Sequence, residues 1–241
     1  MKPSIPSTQT SMLATSAAHE QRVRCADGSH DEPRTGFKGA LDRLVGPGAT
    51  GAELALQGVI PVLAMACVLG DTLRAGLGWT PTQYVVATLL AFDLSGGIVT
   101  NATSSAKRWY HRPSQKARHH FAFVALHLLH LALVCWLFLD GDGRWFLTTG
   151  GALMLSATLV IVSPLYLKRP VAYTLYACLL VATIYGLAFP KGLEWFLPLF
   201  YLKLLVSHLP PETPFRPAPQ VPESTVGLQA GVRANPSDSS D

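Results

Sequence analysis

Histidines are concentrated in one part of this chain. Five of its eight histidines lie within a stretch of twenty residues, at His111, His119, His120, His127 and His130. Upstream of them, Asp93 lies in the middle of an apolar segment. Neutral imidazole is the most common metal ligand, and an ionisable group inside a membrane span usually faces a cavity or a partner. We therefore expect the chemistry of the protein to lie in this region.

Helical spacing places the four later histidines on one side of a helix. Successive residues turn by about 100°. With His119 at zero, His130 lies at about 20°, His127 at about 80° and His120 at about 100°. His127 and His130 are three residues apart, so both could ligate one metal ion.

The preceding apolar segment predicts a helix with a matching polar face that carries Asp93, from which the other polar group, Asn101, is offset by about 80°. Antiparallel helices with a short connection are neighbours, so this face can meet the histidine stripe. Folding the two helices about their connection would bring Asn101 level with His127 and His130 and would leave Asp93 deeper.

From these patterns we predict one polar site inside the membrane. Its metal ligands would be His111, His119, His127 and His130, holding a divalent ion such as zinc or iron, and its catalytic groups would be Asp93 and Asn101. Simpler interpretations stay open. His119 and His120 could contact lipid head groups, His127 and His130 could hold helices together, and Lys203 and His208 are expected to snorkel.

Histidine pairs near the cytoplasmic ends of membrane helices, between His111 and His130, resemble those of membrane-bound desaturases and hydroxylases. That resemblance implies two irons held by histidine-rich boxes. Those families have more histidines, including a separate later box, whereas only His208 follows His130 here. A single-metal hydrolase acting on a lipid or amphiphile would need fewer ligands.

The elements that position these residues are membrane helices. Of the 241 residues, 49% are hydrophobic and 14% are charged, whereas soluble domains usually carry about 25% charged residues. Six apolar segments have about the length needed to span a bilayer. They cover residues 54–70, 84–102, 119–139, 145–167, 171–189 and 193–209. We predict an all-α, polytopic transmembrane bundle of about six spans.

The segments outside the bundle predict its boundaries and orientation. Residues 1–50 are expected to form a disordered tail with a short interfacial helix, residues 51–209 the transmembrane domain, and residues 210–241 a disordered proline-rich tail. Lysines and arginines are concentrated in the tails and in alternate connections, so the positive-inside rule places both termini in the cytoplasm. The net charge of +4 reflects this topology rather than nucleic-acid binding, and membrane lipids are the expected partners.

Three functions fit these observations. The first is a metal-dependent enzyme acting on a lipid or amphiphilic substrate, in which the metal generates hydroxide. The second is a structural or assembly protein whose polar stripe holds helices together. The third is a proton- or cation-coupled transporter that uses Asp93 and the histidines as a relay. The sequence does not indicate the oligomeric state.

Overall fold

The computed structural model describes residues 32–186 and 189–211, and within them the chain is entirely helical, with no strand. In chain order the helices are α1 (Gly36–Val45), α2 (Gly51–Arg74), α3 (Pro81–Ala102), α4 (Ser104–Tyr110), α5 (Ala117–Phe138), α6 (Gly143–Val162), α7 (Leu165–Gly186) and α8 (Phe196–His208). Helix α5 is interrupted by a turn at His127, and α8 continues from Phe196–Tyr201 into a π-helix at Leu202–His208.

Five of these helices, α2, α3, α5, α6 and α7, are long and apolar enough to cross a membrane. Many of their large apolar side chains point outwards, for example Leu63, Trp136 and Leu155. Such surfaces are unfavourable in water and suit contact with lipid. Of the about six predicted spans, five are confirmed as long apolar helices, and the sixth segment forms the shorter apolar helix α8.

Two of the long helices begin at capping boxes. The Thr50 hydroxyl accepts a hydrogen bond from the backbone N–H of Glu53, whose carboxylate in turn accepts one from the Thr50 N–H. Thr80 and Gln83 repeat this arrangement at α3. Reciprocal capping satisfies backbone donors that have no partner within the helix. The starts of α2 and α3 are therefore fixed by local sequence.

The joint expected at residues 168–170 lies elsewhere. Ser163 has an extended backbone and the turn falls at Ser163 and Pro164, because a residue before proline disfavours the helical conformation. Lys168 lies inside α7, and its ammonium group donates to the carbonyls of Val160 and Ile161 at the end of α6. The lysine therefore caps a helix rather than ending one.

Helix α8 forms the centre of the bundle. Phe196, Leu197, Phe200, Leu204 and Leu205 are all fully buried, and they belong to a core shared with α3, α5, α6 and α7. Helix α2, in contrast, packs mainly against α3 and leaves most of its surface open.

The described residues also contain the predicted short helix before the first span, α1. The predicted disordered tails fall mostly on residues 1–31 and 212–241, which lie outside the described residues.

Candidate functional site

A cluster of three ionisable side chains joins three helices near the middle of the bundle. Lys203 Nζ on α8 donates to Asp93 Oδ2 on α3 at 2.6 Å. His130 Nε2 on α5 lies 3.2 Å from the same oxygen. We call Asp93, His130 and Lys203 the central cluster. The Lys203 side chain is only 4% exposed, whereas that of Asp93 is 45% exposed, so the lysine is enclosed by the bundle and the aspartate lies partly at its surface.

Gly97 makes room for this ion pair. A Cβ atom at Gly97 would lie 2.2 Å from Lys203 Cε and 2.9 Å from Lys203 Nζ, closer than side chains can pack. Gly97 is one helical turn after Asp93, so the lysine crosses α3 directly beside its partner. The glycine therefore lets Lys203 reach the carboxylate from α8.

A second cluster lies at the end of the bundle where residues 103–116 connect α3 to α5. It consists of Asn101, His111, His120 and His208, and we call it the end cluster. His208 Nδ1 lies 3.0 Å from Asn101 Oδ1, and His208 Nε2 lies 3.2 Å from His120 Nδ1. His111 Nε2 contacts the His208 carbonyl oxygen at 2.9 Å, and the His111 ring stacks on His120.

The contacts of the end cluster fix the tautomers of its neutral imidazoles. Asn101 donates through Nδ2 to the Gly97 carbonyl, so its Oδ1 is an acceptor for His208 Nδ1–H. Neutral His208 then has an acceptor at Nε2, to which His120 Nδ1–H donates. His111 donates through Nε2–H to the His208 carbonyl. His120, His208 and Asn101 thus form a directional chain of hydrogen bonds that ends at the Gly97 carbonyl, and His111 bonds to the His208 backbone beside it.

Burial lowers the pKa of His111, which lies in the connection outside the spans, to about 4. The nearby positive charges of Lys107 and Lys168 act in the same direction. Lys107 Nζ donates to the carbonyls of Ser207 and Pro210 at the end of α8. His111 is therefore neutral at pH 7.

The π-helix in α8 aligns the two clusters. Residues five apart on an α-helix differ in direction by about 140°. Lys203 and His208 are five apart, yet both reach α3, one at Asp93 and the other at Asn101. An i→i+5 hydrogen-bonding pattern brings such residues to nearly the same side, and Leu209 N donates to Leu204 O in this way at 3.3 Å.

Stacked rings connect the clusters. The Phe123 ring lies 4.1 Å from that of His208 and 4.5 Å from that of His127, and the His127 ring stacks on His130 at 5.0 Å between centroids. His127 Nδ1 donates to the Phe123 carbonyl within its own helix at 2.8 Å. An apolar ring thus separates two sets of polar groups.

The predicted site residues have different positions. Asp93 and His130 belong to the central cluster, Asn101 and His111 belong to the end cluster, and His127 lies buried between them. His119 is exposed; its Nδ1 accepts a hydrogen bond from the backbone of Lys116 instead. The expected four-histidine stripe does not form a single face: His120, His127 and His130 contact other helices, whereas His119 is exposed.

The expected depths of Asp93 and Asn101 in the bundle are also wrong. So are the expected surface roles of three further residues, namely Lys203, His208 and His120. Asp93, rather than Asn101, lies at the level of His130, and Asn101 lies at the level of His208. Lys203 and His208 do not snorkel, because both are buried and bonded inside the bundle. His120, which could have contacted only lipid head groups, bonds to His208. A lysine and a histidine within the last apolar segment are the sequence feature that could have indicated contacts of this segment with α3 and α5.

Metal binding by His111, His119, His127 and His130 stays a prediction. Across the described ranges, no group of three or more His, Cys, Asp or Glu side chains has the geometry to hold a metal ion. The chain matches no model of a known protein family, no curated protein and no solved structure. The multi-span helical bundle and its buried His/Asp network are therefore the basis for any functional assignment.

Proposed function

We propose that this chain is a proton-coupled transporter in which Asp93 is the proton-carrying group. The observation that carries the proposal is the shared contact at Asp93, whose Oδ2 meets Lys203 Nζ at 2.6 Å and His130 Nε2 at 3.2 Å inside an apolar helix. Ionisable groups are costly at this depth, and acidic and histidine side chains are typical of proton relays in membrane transporters.

Protonation of Asp93 would change the net charge of the central cluster. The ionised carboxylate compensates the ammonium group of Lys203, which has almost no solvent contact. When Asp93 takes up a proton, Lys203 becomes a buried charge without its counter-charge, and that state is strongly unfavourable. The bundle would then favour a second arrangement in which Lys203 finds another partner or releases its proton. A proton bound at one carboxylate thereby changes helix packing.

The polar side chains that contact Asp93 directly or through stacked rings extend towards one end of the bundle. His130 and His127 lead towards the Phe123 ring, beyond which the end cluster begins. In the other direction the buried side chains next to α3 and α8 are mostly apolar, among them Ala87, Leu90, Phe196 and Phe200, and the polar groups of Tyr201 and Thr149 donate to backbone carbonyls of α6. A site near mid-depth that is closed towards one end is what alternating access requires in one of its states.

Proton flux into proteoliposomes tests this proposal without knowledge of a co-substrate. The full chain would be reconstituted with an internal pH-sensitive dye, and proton entry would be driven by a potassium gradient and valinomycin. We expect faster acidification than in empty liposomes and a return to the empty rate for Asp93→Asn. Asp71→Asn, which changes an exposed carboxylate on α2, is the matched control and should keep the wild-type rate.

Two results would count against the transporter. Wild-type rates equal to those of empty liposomes would contradict it, as would full activity of Asp93→Asn. If the His120→Ala and His208→Ala variants also lost only thermal stability, the polar groups would act as structural contacts between helices.

A metal-dependent enzyme acting on a lipid or amphiphile is the second candidate, and one contact favours it. His120 Nδ1 and His208 Nε2 face each other at 3.2 Å. Two imidazoles on one tetrahedral zinc have nitrogens about 3.3 Å apart, given Zn–N distances of about 2.0–2.1 Å. In such an enzyme Asp93 and Asn101 would be the catalytic groups.

Elemental analysis of the detergent-purified protein separates the two candidates. Stoichiometric zinc or iron that disappears in His120→Ala/His208→Ala would support the enzyme. The variant His119→Ala, at an exposed histidine of the same helix, should keep the metal in that case. Metal below stoichiometry in the wild type, together with proton flux that depends on Asp93, would favour the transporter.

A further inference from the structure

Helix α1 is fixed to the bundle next to the start of the first span. The Tyr110 hydroxyl donates to the Leu44 carbonyl at 2.8 Å, and the Ser105 hydroxyl donates to the Val45 carbonyl at 3.3 Å. Gly46, with φ +91°, lies against the backbone of Ser105, where a Cβ atom would be 2.3 Å away. These contacts hold the end of α1 at the level where α2 begins.

One side of α1 is apolar and uncovered by any described residue. Phe37, Leu41 and Leu44 are 86%, 42% and 62% exposed. At about 100° per residue they fall within an arc of about 60°. Gly39 and Asp42, on the other side, are buried. Three large apolar side chains on one narrow face would be unfavourable in water, and lipid acyl chains would cover them.

Two cations lie on either side of the apolar face. Relative to Phe37, Lys38 lies at about 100° and Arg43 at about −120°, and both side chains are exposed. Long basic side chains in these positions can place their charges among lipid head groups while the apolar face enters the acyl region. The arrangement is that of a helix lying in the plane of a membrane surface.

The charge around α1 is mostly positive. Hydrogen bonds from Arg34 lower the pKa of Asp42 to about 2, so this carboxylate is ionised and already paired with a cation. The Glu53 carboxylate is bonded to Thr50 and to the Ser105 N–H. The connection at residues 103–116 and the first turn of α5 add three exposed cations on the same end of the bundle, namely Arg108, Lys116 and Arg118.

We propose that α1 is a lipid-binding helix that lies on the anionic leaflet of the membrane, with Phe37, Leu41 and Leu44 in the acyl region. Helix α2, whose exposed side chains are also mostly apolar, begins six residues after α1 ends. Lys38 and Arg43 contact the anionic head groups. This binding surface is independent of proton transport.

A fluorescent probe on α1 tests the proposal in the full chain. Phe37→Cys would carry an NBD dye in a background in which Cys25, Cys67, Cys135 and Cys178 are replaced by serine. Thr35→Cys, on an exposed residue at the start of α1, is the matched control. Both would be reconstituted in phosphatidylcholine vesicles with and without phosphatidylglycerol, and nitroxide-labelled lipids would quench the dye.

In anionic vesicles we expect a blue-shifted emission at position 37 and about twofold stronger lipid quenching than at position 35. A nitroxide near the head group should quench more than one deep in the acyl chain, because surface helices insert only about 5–10 Å. Lys38→Glu/Arg43→Glu should reduce the difference between positions 37 and 35.

Three results would overturn the proposal. Equal quenching at positions 35 and 37 would show that the apolar face is not in lipid. A blue shift without lipid quenching would show that a protein surface, such as a second copy of the chain, covers the face. Quenching that changed neither with phosphatidylglycerol nor with Lys38→Glu/Arg43→Glu would exclude recognition of anionic lipid.

Discussion

At Asp93, a single carboxylate oxygen connects three helices. Lys203 and His130 both contact Oδ2, so loss of this carboxylate changes α3, α5 and α8 together. Removing one member of a buried ion pair usually costs more than removing both, because the remaining charge is left uncompensated. This asymmetry allows the electrostatic role of the cluster to be measured by paired substitutions.

We expect Asp93→Asn to lower the free energy of unfolding by about 2 kcal/mol. This is less than the ~3–5 kcal/mol that is usual for a fully buried pair, because the Asp93 side chain is 45% exposed. The double variant Asp93→Asn/Lys203→Met should regain part of the loss. Thermal or denaturant unfolding in detergent would measure both, and a double variant less stable than the single one would contradict the ion pair.

Gly97→Ala should destabilise the protein by more than about 1 kcal/mol and slow proton flux, because the new methyl group overlaps the Lys203 side chain. Gly70→Ala is the matched control, since no atom lies within 4 Å of a Cβ there, and alanine favours helix. Similar unfolding temperatures for the two variants would show that Lys203 does not need the space at Gly97.

The sequence predicts Asp93 as a site residue because a lone acid inside an apolar segment has a high electrostatic cost. The same reasoning applies to Lys203, yet a lysine near a span end is also compatible with snorkelling. Its position beside Gly97 depends on contact between α3 and α8, which are distant in sequence. The pairing is a tertiary property that spacing within one helix cannot indicate.

Among the helices, α8 departs most from expectation. Apolar length predicts one more ordinary span at residues 193–209, whereas the structure contains a shorter helix whose second half is a π-helix. The angles used to predict the histidine stripe assume uninterrupted α-helices, and both α5 and α8 violate that assumption. Periodicity grouped His119 with the buried histidines, whereas the structure places His119 at the surface and His208 in the end cluster.

The connection between α3 and α5 should make stability sensitive to acid. Burial lowers the pKa of His111 to about 4, whereas an unfolded histidine has a pKa of about 6.5. Between these values the unfolded chain binds more protons, so stability is full above about pH 6.5 and decreases as the pH falls towards 4.

Unfolding temperatures measured from pH 7.5 to 4 in detergent would check this dependence. His111→Gln, which can still donate to the His208 carbonyl, should flatten the curve between pH 6.5 and 4. His119→Gln, at an exposed ring that the end cluster does not include, should leave the curve unchanged. An identical acid response of wild type and His111→Gln would contradict a buried, neutral His111.

For the molecule as a whole, the last helical segment runs between opposite ends of the bundle. A Cβ atom at Gly192, shortly before α8, would contact Leu77 and Trp79 in the α2–α3 connection. At the far end of α8, His208 meets His111 in the α3–α5 connection. Although α8 is short, the segment from Gly192 to His208 passes from one end of the helical bundle to the other.

We therefore predict that both termini lie in the cytoplasm, with residues 103–116 on the same side. In whole cells, and with the native cysteines replaced, Lys191→Cys should react with a membrane-impermeant maleimide. Ser114→Cys and a cysteine added at the C-terminus should react only after lysis. Labelling of both Lys191→Cys and the C-terminal cysteine in intact cells would show that α8 does not cross the membrane, and labelling of the C-terminal cysteine without Lys191→Cys would show the opposite orientation.

Composition was sufficient to predict an all-α membrane bundle, because charge is nearly absent from the central segments and apolar length determines a span. The positions of the turns between helices were harder to predict from the sequence. Lys168, Arg169 and Pro170 resemble a break, but the restriction before Pro164 places the turn earlier. Which helix lies at the centre also depends on packing among distant segments.

The most direct test of the central claim compares proton flux by the wild type with flux by Asp93→Asn/Lys203→Met, in which both charges of the pair are removed together. Both proteins would first be shown to be folded, and proton entry would then be followed in matched proteoliposomes. We predict rapid acidification with the wild type and the rate of empty liposomes with the double variant. Equal rates for the two proteins would contradict a role of Asp93 in carrying protons.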